Sequence, residues 1–116
     1  MSADLATLLD GLTRMRGVRG ALLVSAEDGI TVAGALLEEE QGPALAALAA
    51  TLLARVRELI AETGHEPPRF LHLQSAEGLL LLAPAAGDLV VVSVAGREAL
   101  IGPLRLEMLR IAEQLD

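Results

Sequence analysis

The stretch Val18–Ala35, VRGALLVSAEDGITVAGA, decides the fold. It holds two short apolar runs, Val18–Ser25 and Ile30–Ala35, separated by a segment that contains Asp28-Gly29. An Asp-Gly pair between two apolar runs is a strong signal for a β-hairpin. Because both runs are apolar at successive positions, both faces of the predicted strands are expected to be covered. The hairpin is therefore predicted to belong to a sheet with helices on each side.

Three amphipathic segments around this hairpin have the spacing of helices. The first spans Ala3–Arg16, with Ser2 as a candidate N-cap and Gly17 as the stop. The longest spans Pro43–Thr63, and the last spans Gly102–Leu115. Proline near the start and glycine just past the end are typical of helices such as the second one.

Three further apolar runs lie between the second and third helices: Arg69–Ser75, Leu79–Ala83 and Leu89–Ala95. Short turns join them, which predicts antiparallel pairing. The element order is α-β-β-α-β-β-β-α, and the predicted fold class is α+β. The expected architecture is an α/β/α sandwich with a five-stranded antiparallel sheet, formed as a single domain by residues 1–116.

Composition excludes several classes of function. The formal net charge is -7, so binding to a phosphate backbone is not expected. The chain has no Cys and no Lys, which excludes disulfides, a Schiff-base lysine and the lysine of a P-loop. Its N-terminus has no basic region typical of a signal peptide, and its longest apolar run, Leu79–Ala86, is too short to span a bilayer. We expect a cytoplasmic protein without membrane insertion.

The sequence holds no pattern of an enzyme. His65 and His72 stand alone, without the spacing of a metal site, and no serine lies in a nucleophile elbow. The run Glu38-Glu39-Glu40 precedes the second helix, where the helix dipole favours anions; metal binding is the alternative. We predict no catalytic residue, no metal and no cofactor.

The second helix has two apolar arcs. The arc predicted to face the sheet consists of large and small apolar residues: Leu45, Leu48, Ala49, Leu52, Val56, Leu59 and Ile60. The other arc is rich in alanine, and its small side chains would let a second helix approach closely: Ala46, Ala50, Leu53, Arg57 and Ala61. The alternative is that alanine is simply a good former of exposed helix.

Four segments in this order resemble the roadblock/dynein light chain superfamily, most closely its bacterial MglB-type members. They are Gly17–Ala33, the Ala/Leu helix Leu45–Arg57, Gly78–Val94 and Ile101–Leu115. The resemblance covers essentially the whole chain and implies a roadblock/profilin-like sandwich. It also implies a homodimer in which the second helices pack antiparallel and the third strands join into one sheet, with Arg69–Ser75 as the pairing edge.

On this resemblance, two groups of residues are assigned. The expected dimer interface consists of Ala46, Ala50, Leu53, Arg57, Phe70 and His72. The expected partner-binding platform consists of Ala47, Thr51, Ala54, Arg55 and Glu58.

The function that the resemblance implies is regulation of a small Ras-like GTPase, as its GTPase-activating protein, without donation of an arginine finger. Two copies of the chain would bind one GTPase. The rival mechanism is an arginine finger from Arg14, Arg16, Arg19, Arg55 or Arg57. A different class of function is a dimeric, non-catalytic scaffold or motor light chain that docks a larger protein. A small-molecule sensor or enzyme that uses the sandwich as a pocket is a third.

Overall fold

The computed structural model describes residues 4–36 and 41–115. It confirms the predicted fold class and element order. In chain order the elements are α1 (Leu5–Thr13), β1 (Val18–Ser25), β2 (Ile30–Ala35), α2 (Gln41–Glu62), β3 (Leu71–Gln74), β4 (Gly78–Pro84), β5 (Leu89–Gly96) and α3 (Ile101–Gln114).

The five strands form one antiparallel sheet in the order β2-β1-β5-β4-β3. The β-branched run Val90–Val92 lies in the central strand and is buried, in keeping with its preference for a pleated surface. Two separate cores cover the two faces: α1 and α3 pack on one side and α2 on the other. β2 and β3 are consequently the two edges of the sheet.

The β1–β2 hairpin forms as its Asp-Gly pair predicts. Gly29 adopts a φ of 67°, and its amide donates to the carbonyl of Ser25 at 2.8 Å. Farther along the hairpin, Leu23 pairs with Ala33 whereas Val24 pairs with Thr31, so Val32 is an extra residue in β2. This β-bulge bends the outer edge of the hairpin.

Both ends of α1 differ from the sequence prediction. Asp4 caps α1, because its carboxylate accepts from the amide of Ala6 at 3.1 Å and the hydroxyl of Thr7 at 3.2 Å. The predicted cap, Ser2, and the acidic run Glu38–Glu40 lie outside the described residues. α1 ends at Thr13 rather than at Arg16, and the chain then turns into β1.

Gly17 makes the tight passage from α1 to β1 possible. Its φ is 81°, and a Cβ built on it would lie 2.7 Å from the Cα of Ala99. Its carbonyl also accepts from the amide of Gly96 at 2.8 Å. A residue with a side chain would therefore be strained by its backbone and would collide with the loop before α3.

The third strand is shorter than predicted, four residues instead of seven. The prolines before it and the turn after it leave only Leu71–Gln74 in register with β4. Phe70 lies outside the ladder and packs against the core under α1 and α3. No helix in the described part of the chain is long and apolar enough to cross a membrane.

Candidate interaction surface

The face of α2 that contacts the sheet consists of two alanines and one leucine. Ala46, Ala49 and Leu53 are fully buried and pack on the core formed with β1, β4 and β5. The sequence prediction placed Ala46 and Leu53 in a seam for a second helix, and this orientation is wrong. Ala46 and Ala49 face the sheet together with Leu53, whereas Ala47 and Ala54 of the same helix are exposed.

The alanine-rich flank of α2 faces two turns of the same protein. A Cβ on Gly29 would lie 3.5 Å from the Cα of Ala47 and 3.7 Å from the Cβ of Ala50. Ala50 and Arg57 also line a cleft of about 530 Å³ between α2 and the β1–β2 and β4–β5 turns. Asp88 of the β4–β5 turn lines the same cleft. Ala50 is half-buried and Arg57 is exposed. This flank therefore does not adjoin the β3 edge.

The opposite flank of α2 presents leucines to solvent. Leu48 and Leu59 are 66% and 65% exposed, although the sequence predicted that they face the sheet. Leu45 and Leu52 on the same flank are half-buried at the border of the core. We call these four residues the leucine flank. It is an apolar helix surface that the protein's own sheet does not cover.

The part of the sheet beside the leucine flank is also uncovered and apolar. Leu71 pairs with Leu82 and Leu73 with Leu80, which places the side chains of β3's leucines on the α2 side. Leu73 is 44% exposed, and Leu73, Leu80 and Val94 line a groove of about 320 Å³. Leu45 and Leu52 of the leucine flank and Leu71 of β3 pack against the same core. We call the leucine flank and the β3 edge together the apolar region.

The other side of β3 is polar at the edge. His72 pairs with Leu81, whose side chain belongs to the core under α1 and α3, and His72 itself is exposed. Phe70, on the same side, is half-buried, and the guanidinium of Arg105 lies 5.7 Å from its ring centre. Of the two residues that the sequence assigned to the dimer interface at this edge, His72 in β3 is exposed, whereas Phe70 just before β3 is half-buried and packs against the core.

The predicted partner-binding platform lies on the outer face of α2. All five of its residues are exposed: Ala47, Thr51, Ala54, Arg55 and Glu58. The guanidinium of Arg55 lies 3.4 Å from the carboxylate of Glu58. An exposed pair of this kind contributes little stability, so its side chains are free to rearrange when a partner binds. Binding by these residues stays a prediction.

Asp88 fastens the β4–β5 turn to the β1–β2 turn. Its carboxylate accepts from the hydroxyl of Ser25 at 2.6 Å and from the amide of Glu27 at 2.8 and 2.9 Å, and its carbonyl accepts from the amide of Ala26. These hydrogen bonds, first that from Ser25, lower the pKa of Asp88 below its usual value. The sequence showed only a turn here, because partners that are 61 and 63 residues apart leave no local pattern.

The candidate arginine fingers fall into two groups. Arg14 lies 3.6 Å from Asp10, and Arg55 is paired with Glu58. Arg16, Arg19 and Arg57 are exposed and form no ion pair within the part of the chain that the structure describes. In residues 4–36 and 41–115, no three His, Asp or Glu side chains are grouped as metal ligands would be.

A comparison with protein families and a comparison with solved structures both match Roadblock/LC7 domains. The model of the Roadblock/LC7 domain family matches residues 4–95. A Roadblock/LC7 domain from Streptomyces avermitilis is 28% identical, with a TM-score of 0.87, over 95% of this chain and 92% of that one. An MglB with a tetrameric arrangement is 26% identical, with a TM-score of 0.85, over 95% and 83%.

The gliding protein MglB from Thermus thermophilus is 25% identical, with a TM-score of 0.84, over 95% of this chain and 84% of that one. No curated protein matches the chain.

Proposed function

Because the chain belongs to the Roadblock/LC7 domain family, we propose that it is a homodimeric regulator of a small Ras-like GTPase. The observation that supports the proposal is the apolar region formed by the leucine flank and the β3 edge. In the proposed dimer this region is the interface between the two copies, and the neighbouring outer face of α2 is the proposed platform for the GTPase.

A second copy of the chain is the occupant that fits this region. Two leucine flanks packed antiparallel would bury Leu48 and Leu59 of both copies, and two β3 edges would satisfy each other's free backbone groups. Burial of a leucine side chain contributes about 1.5–3 kcal/mol. β3 also has no bulge or proline within Leu71–Gln74 to hinder pairing. The interface assigned from the sequence thus moves from Ala46 and Leu53 to the leucine flank.

The GTPase is proposed as the partner on two grounds. The sequence resembles MglB-type members of the superfamily, which implies regulation of a Ras-like GTPase, and MglB structures are among its structural neighbours. The platform residues Ala47, Thr51, Ala54 and Glu58 lie on the face of α2 that points away from the sheet, so dimerisation at the leucine flank would leave them accessible. Arg55 lies one turn before Leu59 and two turns after Leu48, at the border of the proposed interface. Two platforms would then adjoin across the twofold axis, where one GTPase would exclude a second.

The proposed mechanism is activation of hydrolysis without chemistry by this chain. The dimer would hold the GTPase's own catalytic residues in position, since preorganised charge is usually the largest contribution to catalysis. The sequence has no lysine and therefore no P-loop of the type that holds the phosphates of GTP.

The second candidate function is that of a non-catalytic dimeric scaffold, and one observation favours it. Leu100 and Leu106, at the start of α3, are large apolar residues exposed on the opposite side of the sheet from α2. Dimerisation through α2 and β3 would leave them uncovered. A larger protein docked there would use the dimer as an assembly platform, without any effect on GTP hydrolysis.

The deciding experiment measures GTP hydrolysis by a small Ras-like GTPase from the same organism, with and without the protein. We expect stimulated hydrolysis that is maximal at two chains per GTPase and that survives Arg55→Ala, Arg57→Ala and Arg19→Ala. Loss of stimulation with intact binding in any single arginine variant would establish the arginine finger instead. Binding without stimulation by the wild type would establish the scaffold.

A further inference from the structure

We propose that a cleft beside α3 binds an acidic amphipathic helix of another protein, through two arginines that have no partner within the fold. The cleft has a volume of about 430 Å³ and lies between α3, the β4–β5 turn and the start of β3. It is on the opposite side of the sheet from α2, so it depends neither on the proposed dimer nor on the GTPase. We call it the α3 cleft, and its lining includes Arg69, Ala85, Arg105, Leu109, Ala112 and Glu113.

Apolar residues line one part of the α3 cleft. Ala112 is buried, and Ala85 and Leu109 are half-buried against the core under α1 and α3. Leu106 precedes Leu109 by three residues, so it lies on the same flank of α3, and it is 67% exposed. Apolar side chains of a partner would cover Leu106 and enter the cleft beside Leu109, which removes apolar surface of both proteins from water.

The two arginines of the α3 cleft have free hydrogen-bond donors. Both are exposed, and within residues 4–36 and 41–115 neither Arg69 nor Arg105 forms an ion pair or a side-chain hydrogen bond. Arg110, the next arginine of α3, is instead bound to Glu107. A guanidinium has five N–H donors in one plane, a geometry that matches a carboxylate. The cleft thus offers two binding groups for carboxylates.

Phe70 supports Arg105 at the edge of the cleft. The guanidinium carbon of Arg105 lies over the Phe70 ring, 5.7 Å from its centre, and Phe70 itself packs against the core. A contact of this kind uses the face of the guanidinium and leaves the N–H groups at its edge free to donate. Arg105 therefore loses less side-chain freedom on binding a partner than an unsupported arginine would.

The charges of the chain favour a protein partner. The net charge is -7, so an extended polyanion such as a nucleic acid, or an anionic membrane, is repelled by the chain as a whole. Within the α3 cleft, however, two arginines outnumber the one carboxylate, that of Glu113. A ligand with a few local negative charges suits this arrangement, and the carboxylates of a protein segment meet that condition.

A helix suits the α3 cleft better than a strand does. The walls are formed mainly by side chains of α3 and by residues 84–86, which offer no row of free backbone groups for an added strand. A helix satisfies its own backbone hydrogen bonds. It also presents leucines and glutamates at intervals of three or four residues, the spacing at which Leu106 and Leu109 follow each other on α3.

The test is fluorescence anisotropy of a labelled synthetic peptide with the full chain. The peptide has about 18 residues, enough to form a helix, with leucines at i, i+3 and i+7 and glutamates beside them. A control peptide has glutamine in place of each glutamate. We expect the glutamate peptide to bind about tenfold more tightly at low salt, because charge-assisted hydrogen bonds are stronger than neutral ones.

Charge reversal in the protein locates the binding site. Arg105→Glu and Arg69→Glu should each weaken binding of the glutamate peptide about tenfold, and a peptide with lysine at those positions should bind Arg105→Glu better than the wild type. Arg16→Glu is the matched control and should bind as the wild type does. Arg16 is exposed too, but it adjoins Gly17, which is hydrogen-bonded to Gly96 at the opposite end of β5 from the cleft. Circular dichroism checks the fold of each variant.

Three results would overturn the proposal: no binding of the glutamate peptide to the wild type, equal affinity for the two peptides, or an equal effect of Arg16→Glu and Arg105→Glu. Vesicles that contain phosphatidylserine are the second probe. Binding to these vesicles that is lost in Arg105→Glu, without binding of the peptide, would identify a lipid surface instead. A monomeric wild type, or one that does not stimulate GTP hydrolysis, would overturn the proposed function but not the α3 cleft, because peptide binding is measured without a GTPase.

Discussion

Replacement of Leu48 by alanine tests the dimer interface most directly, because most of the Leu48 side chain is exposed in the isolated fold. The side chain is 66% exposed, so dimerisation can still bury about two-thirds of it, which is roughly 1–2 kcal/mol per copy. A twofold interface contains the residue twice. Leu48→Ala should therefore weaken the dimer by about 2–4 kcal/mol, or roughly thirtyfold to a thousandfold in the dissociation constant.

The assay is a dilution series by analytical ultracentrifugation, with urea denaturation as a check on the fold. Leu106→Ala is the matched control: Leu106 is 67% exposed and lies on a helix as Leu48 does, but on the other side of the sheet. It should leave the dimer unchanged. Equal effects of the two substitutions, or none from Leu48→Ala, would refute the argument that the leucine flank is the interface.

Three further predictions concern the fold. Ala46→Arg should unfold or severely destabilise the protein, because a buried unpaired charge against the sheet costs several kcal/mol. Thermal denaturation measures this loss. A well-folded variant would mean that the side chain at position 46 faces outward. Gly17→Ala should cost about 1–3 kcal/mol in the free energy of unfolding, because of the φ of 81° and the contact with Ala99, and urea titration measures it. Asp88 has a lowered pKa when folded, so its hydrogen bonds stabilise the protein above its usual pKa of 3.8 and are lost as the pH falls below it. Asp88→Asn should remove this part of the acid sensitivity in urea titrations at pH 6 and pH 3, and an identical loss in both proteins would contradict the assignment.

The backbone was largely predictable from local signals. The Asp28-Gly29 pair indicated the hairpin, and apolar spacing with prolines and glycines indicated the helices. The orientation of α2 about its own axis was not predictable, because both of its arcs are apolar. Periodicity alone does not tell which arc faces the sheet. The choice depends on distance: alanines allow the helix to lie close to Leu22 and Val92, and this packing exists only in the folded protein.

The polar part of the candidate site was predictable, because polar residues on one face of a helix are expected to be exposed. Thr51, Arg55 and Glu58 are polar and lie outside, as the sequence indicated. The exposed Leu48 and Leu59 carry no such signal, since apolar residues are expected to be inside. Leu48 and Leu59 are exposed because Ala46, Ala49 and Leu53 occupy the face of α2 that contacts the sheet. This packing exists only in the folded protein.

The bulge at Val32 has a consequence for how far assembly can proceed. In the proposed dimer two five-stranded sheets merge through their β3 edges, and the merged sheet ends at a β2 strand on each side. Those outer strands bear exposed Ile30 and Val32 and no charged residue within Ile30–Ala35, so flat strands of this composition would recruit further copies. The extra residue interrupts the regular spacing of the outward backbone groups. The β3 edge is thus suited to pairing with a second copy, whereas the bulged β2 edge is not suited to pairing with a third. This difference favours a closed dimer over a growing fibre.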